Sequence, residues 1–398
     1  MNLKISYNTL SDGYFALCMV SLLIFMCVDM QGQEHGTSGV IGAGMITCMT
    51  LVILAGASLK FMIMPNYIAY KPNRTIMLYL IYMLWTTIPV ITNDRSSDTI
   101  SFVITFIKHI IPIFSLLIPF NYLSNNKDSK AFGWFFCISS LLFALCYFKV
   151  MSEILSENIT EAPHMIISYY TLFILPLIIL TCGNKRRIFF ILFTTIVLTT
   201  SIKRGGIVAM VLGLSAYALV YITTTRKLKL STFITAICSL ALLITLFLTL
   251  ADTDENNLIE RFANMENDDG SGRKTVWSVV INLILNSDSL SFMFGHGYNA
   301  VSIDANVGIS AHNDFLEIAY DYGFLGLAIY ICAIISLIGM TVSHIIKRTQ
   351  YAAVLSMFIT IYLTLSMFSH VVIYTWFNLI MLTISYISGR EKLDAKNK

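Results

Sequence analysis

Residues 185–229 read KRRIFFILFTTIVLTTSIKRGGIVAMVLGLSAYALVYITTTRKLK: two short apolar runs, parted by Lys203-Arg204-Gly205-Gly206 and closed at each end by basic residues. Read as one helix, the stretch would leave Lys203 and Arg204 inside the bilayer, at roughly 2.5–3.5 kcal/mol per charge. Both flanking clusters, Lys185-Arg186-Arg187 and Arg226-Lys227-Leu228-Lys229, carry the basic signature of cytoplasmic connections. An even number of crossings must separate them. The chain therefore turns near Lys203-Arg204-Gly205-Gly206, on the opposite side, where glycine tolerates positive φ. The fold is thereby read as a stack of membrane hairpins.

The rest of the chain agrees. Its 398 residues are 56% hydrophobic and 12% charged, against about 25% charged in a soluble domain. Repeated apolar runs of membrane length give an all-α polytopic membrane protein. Nothing alternates with the strand period of a membrane β-barrel. Twelve spans are expected, at 12–29, 38–59, 75–92, 99–120, 131–151, 164–182, 188–202, 205–224, 230–250, 314–342, 350–368 and 371–388. The first is a retained signal-anchor, since no small-residue cleavage site follows it. The tenth starts as an extramembrane turn. Trp134 and Trp376 read as interfacial aromatics. With no internal repeat or linker, residues 1–398 form one integral membrane domain.

Charge sets the orientation. Alternate connections, together with Lys4 and the tail from Arg390 to Lys398, hold 18 of the 26 basic residues; the intervening connections hold most of the acids. Both termini are then cytoplasmic, and residues 251–313 form one large outer loop between the ninth and tenth spans. Within it, Ala251 to Asp269 reads as irregular. Arg273 to Asn286 reads as a short amphipathic helix with Trp277, Val280, Leu283 and Ile284 on one side, lying on the membrane surface. Gly295-His296-Gly297 reads as a turn. All eight cysteines sit in or beside apolar runs, which argues against a disulfide framework, and no CxxC metal spacing occurs. No metal and no cofactor are expected, and the basic residues form no nucleic-acid stripe.

This outer face, poor in basic residues, gathers Arg204, Arg273 and His312. That set suits an anionic, lipid-linked substrate. Arg273 follows Gly-Ser-Gly and can reach a phosphate bidentately; its bland alternative is a solvated surface charge. Arg204 is either a phosphate ligand or a snorkelling charge at a helix end. Lys203 and Arg261 are weaker candidates of the same kind. His312 can take a proton from an attacking hydroxyl, as imidazole titrates near neutrality. Asn313 or Ser310 can cap the helix that follows. Asp314, Glu317 and Asp321 share one face of it; they either complement the helix dipole, or orient the imidazole and contact sugar hydroxyls. Lys108 and His109 lie inside the fourth span, where charge is expensive and often functional. Lys108 either binds a pyrophosphate from the bundle interior or pairs with an acid such as Asp98 or Asp29.

These residues resemble a known family. The order is Ser201-x-x-Arg204-Gly205-Gly206, a loop Ser-Gly-Arg273 with Trp277 four residues on, Gly295-x-Gly297, then His312-Asn313-Asp314-Phe315-Leu316-Glu317 leading into Tyr322-Gly-x-x-Gly-Leu327. It is similar to the O-antigen polymerase and O-antigen ligase superfamily of bacterial inner membranes, over residues 190–340. The resemblance implies metal-independent, inverting glycosyl transfer at the periplasmic face from an undecaprenyl-diphosphate-linked glycan. It implies His312, Arg273 and Arg204 as the catalytic set; the residues themselves add Lys203, Arg261, Asn313, Glu317 and Lys108 as substrate-binding candidates. The family's turn reads Ser-Arg; Ile202 and Lys203 intervene here, leaving Lys203 and Arg204 as alternatives for one role. The form of the His-Asn motif resembles polymerases, with a ligase acting on lipid A-core as the alternative. A chain-length regulator and a flippase are the implied partners. A transporter is the reading from another class, disfavoured by the lack of repeats and by the one-sided loop.

Overall fold

The structure, a computed structural model, describes residues 7–35, 40–63, 72–93, 99–124, 130–156, 166–201, 204–225, 273–305 and 310–396, with positions 240 and 244. Those residues form helices and no strands. The first group is α1 (Tyr7–His35), α2 (Val40–Ile63), α3 (Arg74–Thr92), α4 (Thr99–Leu123), α5 (Lys130–Ser156), a 3-10 turn (Ile166–Ser168), α6 (Tyr169–Thr181), α7 (Asn184–Thr200) and α8 (Arg204–Thr225). The second is α9 (Arg273–Leu285), α10 (Ser289–Phe294), α11 (Ala300–Asp304), α12 (Asp314–Asp321), α13 (Gly323–Ile346), α14 (Ala352–Phe368) and α15 (Phe377–Lys396).

Among the described residues, six helices are long and apolar enough to cross a membrane: α1, α3, α4, α5, α8 and α13. The apolar stretches Gly44–Ala57, Tyr169–Thr181 and Ala352–Phe368 are shorter. The expected ninth span, 230–250, lies outside the described residues apart from 240 and 244, as do residues 251–272 of the expected loop. Val52, Leu84, Leu145, Leu219 and Ile335 are exposed on the outer faces of their helices, a surface that lipid would cover.

Helices meet where small residues let them. A Cβ on Gly213 of α8 would lie 2.6 Å from Ile361 of α14, and one on Gly389 of α15 would lie 3.0 Å from Leu123 of α4. Close approach of this kind replaces the hydrophobic drive that lipid removes. The turn after α7 is a true reversal. A Cβ on Gly206 would come within 3.0 Å of Leu198, whereas eight residues along one straight helix span about 12 Å.

Three expectations change. The tenth span begins at Gly323 rather than at 314: residues 314–321 form a separate helix, α12, and Gly323 adopts φ 73° where the chain breaks. Residues 371–376 are not helical, so the last helix begins at Phe377 rather than at 371. The reason lies across the chain: the Asp314 carboxylate accepts the Val371 and Val372 N–H groups. Trp376 is not interfacial but fully buried, packed against Tyr169, Tyr170 and Tyr374.

Candidate functional site

α12 organises the region. Its N-cap is Asn313, whose side chain accepts from the Phe315 and Leu316 N–H groups at 2.9 and 3.2 Å. Its three acids recur at i, i+3 and i+7, on one face, and are 1%, 1% and 0% exposed. Groups so buried need partners, and each finds main-chain amides in a different segment. Asp314 Oδ1 accepts from Val371 at 2.9 Å and Val372 at 3.4 Å. Glu317 Oε2 accepts from Ala311 at 2.7 Å. Asp321 accepts from Asn299 at 2.8 Å and Val301 at 3.1 Å. Burial raises Asp314 to about 7. Burial and then the Asp321 charge push Glu317 well above the carboxylate range. Of the two expected roles, orientation of the His312 turn fits Glu317, and it works through the backbone.

The glycines of the motif serve the same junction. Gly295 and Gly297 have φ 89° and 103°. A Cβ on Gly295 would lie 2.2 Å from the Asp321 carbonyl oxygen, and one on Gly323 would lie 2.5 Å from the Gly295 nitrogen. Backbone here lies on backbone, with His296 and Gly297 N–H groups donating to the Tyr320 and Asp321 carbonyls at 3.0 Å each.

His312 sits in the left-handed region at φ 49°. Its N–H donates to His370 Nε2 at 3.1 Å, the two rings lie 4.6 Å apart, and the Ser310 hydroxyl lies 2.6 Å from the same nitrogen. Accepting a main-chain N–H requires a lone pair on Nε2, so neutral His370 carries its proton on Nδ1. Burial, then the charges of His312 and Arg273, hold His370 well below the usual histidine range.

Arg273 is the first residue of α9. One turn on, Trp277 Nε1 donates to the Ala311 carbonyl at 2.8 Å, tying the start of that helix to the His312 turn. The apolar side of α9 does not lie on a membrane surface as expected. Val276, Val280, Leu283 and Ile284 pack with Ala300, Val301, Ala311 and Tyr320, because the loop folds back and offers an apolar partner. The Arg273 charge acts on both His370 and Tyr169. Arg204 is the first residue of α8. The Tyr169 hydroxyl lies against Gly205 and within reach of Gly206 and Ser369, and a Cβ on Gly206 would lie 2.7 Å from the Tyr169 ring. Tyr169 therefore links the start of α8 to the His370 segment.

The structure thus brings together the His312 turn, the start of α9 and the start of α8. Asn313 lies there as a cap, its amide nitrogen also donating to the Met367 carbonyl at 3.2 Å. Lys108 does not join them. Its Nζ lies 2.5 Å from Asp29 Oδ1, one of the two expected partners. Lys203 and Arg261 lie outside the described residues. Sequence reasoning missed His370 and Tyr169. A polar Ser369-His370 pair between two apolar runs was the available signal for the first; Tyr169 is one of 20 tyrosines and carries none.

Residues 188–331 match the family model described as O-Antigen ligase. No curated protein matches the chain.

Proposed function

We propose that the chain, whose residues 188–331 match the family model described as O-Antigen ligase, is an O-antigen polymerase, joining undecaprenyl-diphosphate-linked repeat units at the periplasmic face of the bacterial inner membrane. The observation that carries the reading is the convergence of the segments bearing Arg204, Arg273 and His312 on Tyr169 and His370. An acceptor sugar hydroxyl attacks the anomeric carbon of the donor glycan. His312 takes the hydroxyl proton. The anomeric C–O bond breaks, and its electrons leave with the diphosphate, whose growing charge Arg273 and Arg204 (or Lys203) stabilise. One displacement inverts the anomeric centre, and no metal is needed for the step. The finer topology belongs to the same proposal: twelve spans, both termini cytoplasmic, and residues 251–313 periplasmic, beside a flippase and a chain-length regulator.

The test is reconstitution in proteoliposomes with lipid-linked repeat units. A ladder of polymer is the expected product. Transfer only after lipid A-core is added would make the protein a ligase; no product under either condition would overturn glycosyl transfer. His312→Ala should insert normally and form no polymer, and wild-type chain formation by that variant would remove His312 from the mechanism.

A further inference from the structure

The loop region carries an apolar patch that the His312 site does not use. Leu285 closes α9 and is 73% exposed; Leu290 and Phe294, one turn apart on α10, are 72% and 50% exposed. Phe292 is exposed between them. Asp288 caps α10, accepting the Leu290 and Ser291 N–H groups at 2.9 and 3.1 Å, so a formed helix presents these side chains. In water such a cluster is a liability.

Two ring contacts give the depth of α10. Phe292 stacks on Phe324 at 5.9 Å, and Phe324 is the second residue of α13. Phe294 stacks on Trp85 of α3, also at 5.9 Å, and Trp85 donates from Nε1 to the Tyr322 carbonyl at 3.0 Å, at the head of α13. Further along the chain, a Cβ on Gly297 would lie 2.5 Å from the carbonyl oxygen of Asn93, just past the end of α3. Asn93 and Trp85 are eight residues apart, about 12 Å along a helix. Between 294 and 297 the chain thus climbs the flank of α3 from Trp85 to its end. That leaves α10 below the end of α3 and level with the first turn of α13. Both helices are long and apolar enough to cross a membrane.

The patch also continues a surface already assigned to lipid. Phe324, Ile331, Ile335, Ile338 and Val342 are exposed along one face of α13, and Phe292 rests on the residue that heads this stripe.

We propose that α10 is an interfacial helix whose Leu290 and Phe294 side chains insert among the phospholipid acyl chains of the leaflet on the loop side. Continuity with the α13 stripe makes lipid the occupant rather than a partner protein. Interfacial helices seat their apolar residues about 5–10 Å into the boundary between headgroups and acyl chains, the level where the first turn of a spanning helix lies. The anchor has a consequence for the rest of the loop. Gly295 follows α10 directly, with its backbone packed on Asp321 and Gly323. α10 therefore sets the height of α12, and with it the His312 turn, relative to the lipid surface. This holds whatever reaction the protein catalyses.

The test is photolabelling of the purified full-length protein in vesicles of phosphatidylethanolamine and phosphatidylglycerol that include a phospholipid with a diazirine in its acyl chain, followed by peptide mapping. Lipid adducts are expected on residues 285–294 as on the peptide holding exposed Ile335, and not on the peptide holding buried Val301. Adducts at Ile335 with none on 285–294 would overturn the anchor and leave the patch to water or to a partner protein. Leu290→Trp gives a second readout, at a position exposed enough to take the ring without repacking. Its added fluorescence should be lost in vesicles of lipid brominated in the upper acyl chain and should resist aqueous iodide. Quenching by iodide and not by bromine would also sink the proposal. Neither readout needs turnover, so a protein that forms no polymer still tests the anchor.

Discussion

Replacing His370 by Ala removes the nitrogen that accepts the His312 N–H at 3.1 Å. The Ser310 hydroxyl, 2.6 Å from the same nitrogen, can rotate to another partner; a main-chain N–H cannot. An orphaned buried N–H costs about 1–3 kcal/mol. His312 also holds φ 49°, a left-handed conformation that costs a non-glycine residue about 1–2 kcal/mol. Without its tether the turn relaxes toward negative φ, and the imidazole leaves its place beside the His370 ring position. If 1–3 kcal/mol is expressed in the reactive conformation, polymerisation slows by roughly 5–150-fold. His370→Gln, which keeps an acceptor, recovers much of that. pH gives an independent readout. Burial and the charges of His312 and Arg273 depress the folded pKa of His370. The unfolded chain therefore takes up the proton first, so His370's contribution to stability is full above about pH 6.5 and declines as pH falls below it. Once protonated, Nε2 has no lone pair for His312, and activity declines too. His370→Gln should lack both acid losses. Rates in proteoliposomes across pH check this; a His370→Ala enzyme turning over at the wild-type rate would refute the tether.

Other perturbations separate the parts. Gly295→Ala places a methyl 2.2 Å from the Asp321 carbonyl oxygen at φ 89° and should destabilise by more than about 3 kcal/mol, whereas Gly339→Ala, with nothing within 4 Å, should leave the melting temperature unchanged. Asp314, raised to about 7, binds its proton more tightly folded than unfolded, so its contribution to stability is fully present below about pH 4 and is lost as pH rises to about 7. The shift amounts to roughly 4 kcal/mol at most, and Asp314→Asn should remove that part of the wild-type pH–stability curve. Lys108→Met removes the ammonium beside the buried Asp29 carboxylate and should cost about 2–3 kcal/mol, discounted from a fully buried pair because Lys108 is partly exposed. The double change Lys108→Met with Asp29→Asn should cost less than the two single losses added, which denaturation of all four proteins would show.

The sequence made the bundle legible where charge and apolar length coincided. The break at Lys203-Arg204-Gly205-Gly206 followed from parity, and helices end and restart there. The Asn313 cap, the Gly295–Gly297 turn and the Lys108–Asp29 pair were all readable from local chemistry. Contacts that run through the main chain were not. Nothing in Val371 or Val372 announces that their amides bind Asp314, so the helix beginning at Phe377 was extended back to 371. The apolar side of α9 was assigned to lipid because a stripe cannot say what covers it; here Val301 and Tyr320 do. His370 joined the candidate site only through a neighbour 58 positions away.

The three acids of α12 grip amides, and an amide is common to every residue except proline. The contacts at 299, 301, 311, 371 and 372 therefore do not depend on which side chain stands there; at 301, 311 and 371 that side chain is buried, so packing and not the grip is what restricts it. Proline is the exception: introduced at 311 or 371, it would remove the gripped hydrogen and loosen the frame that carries His312.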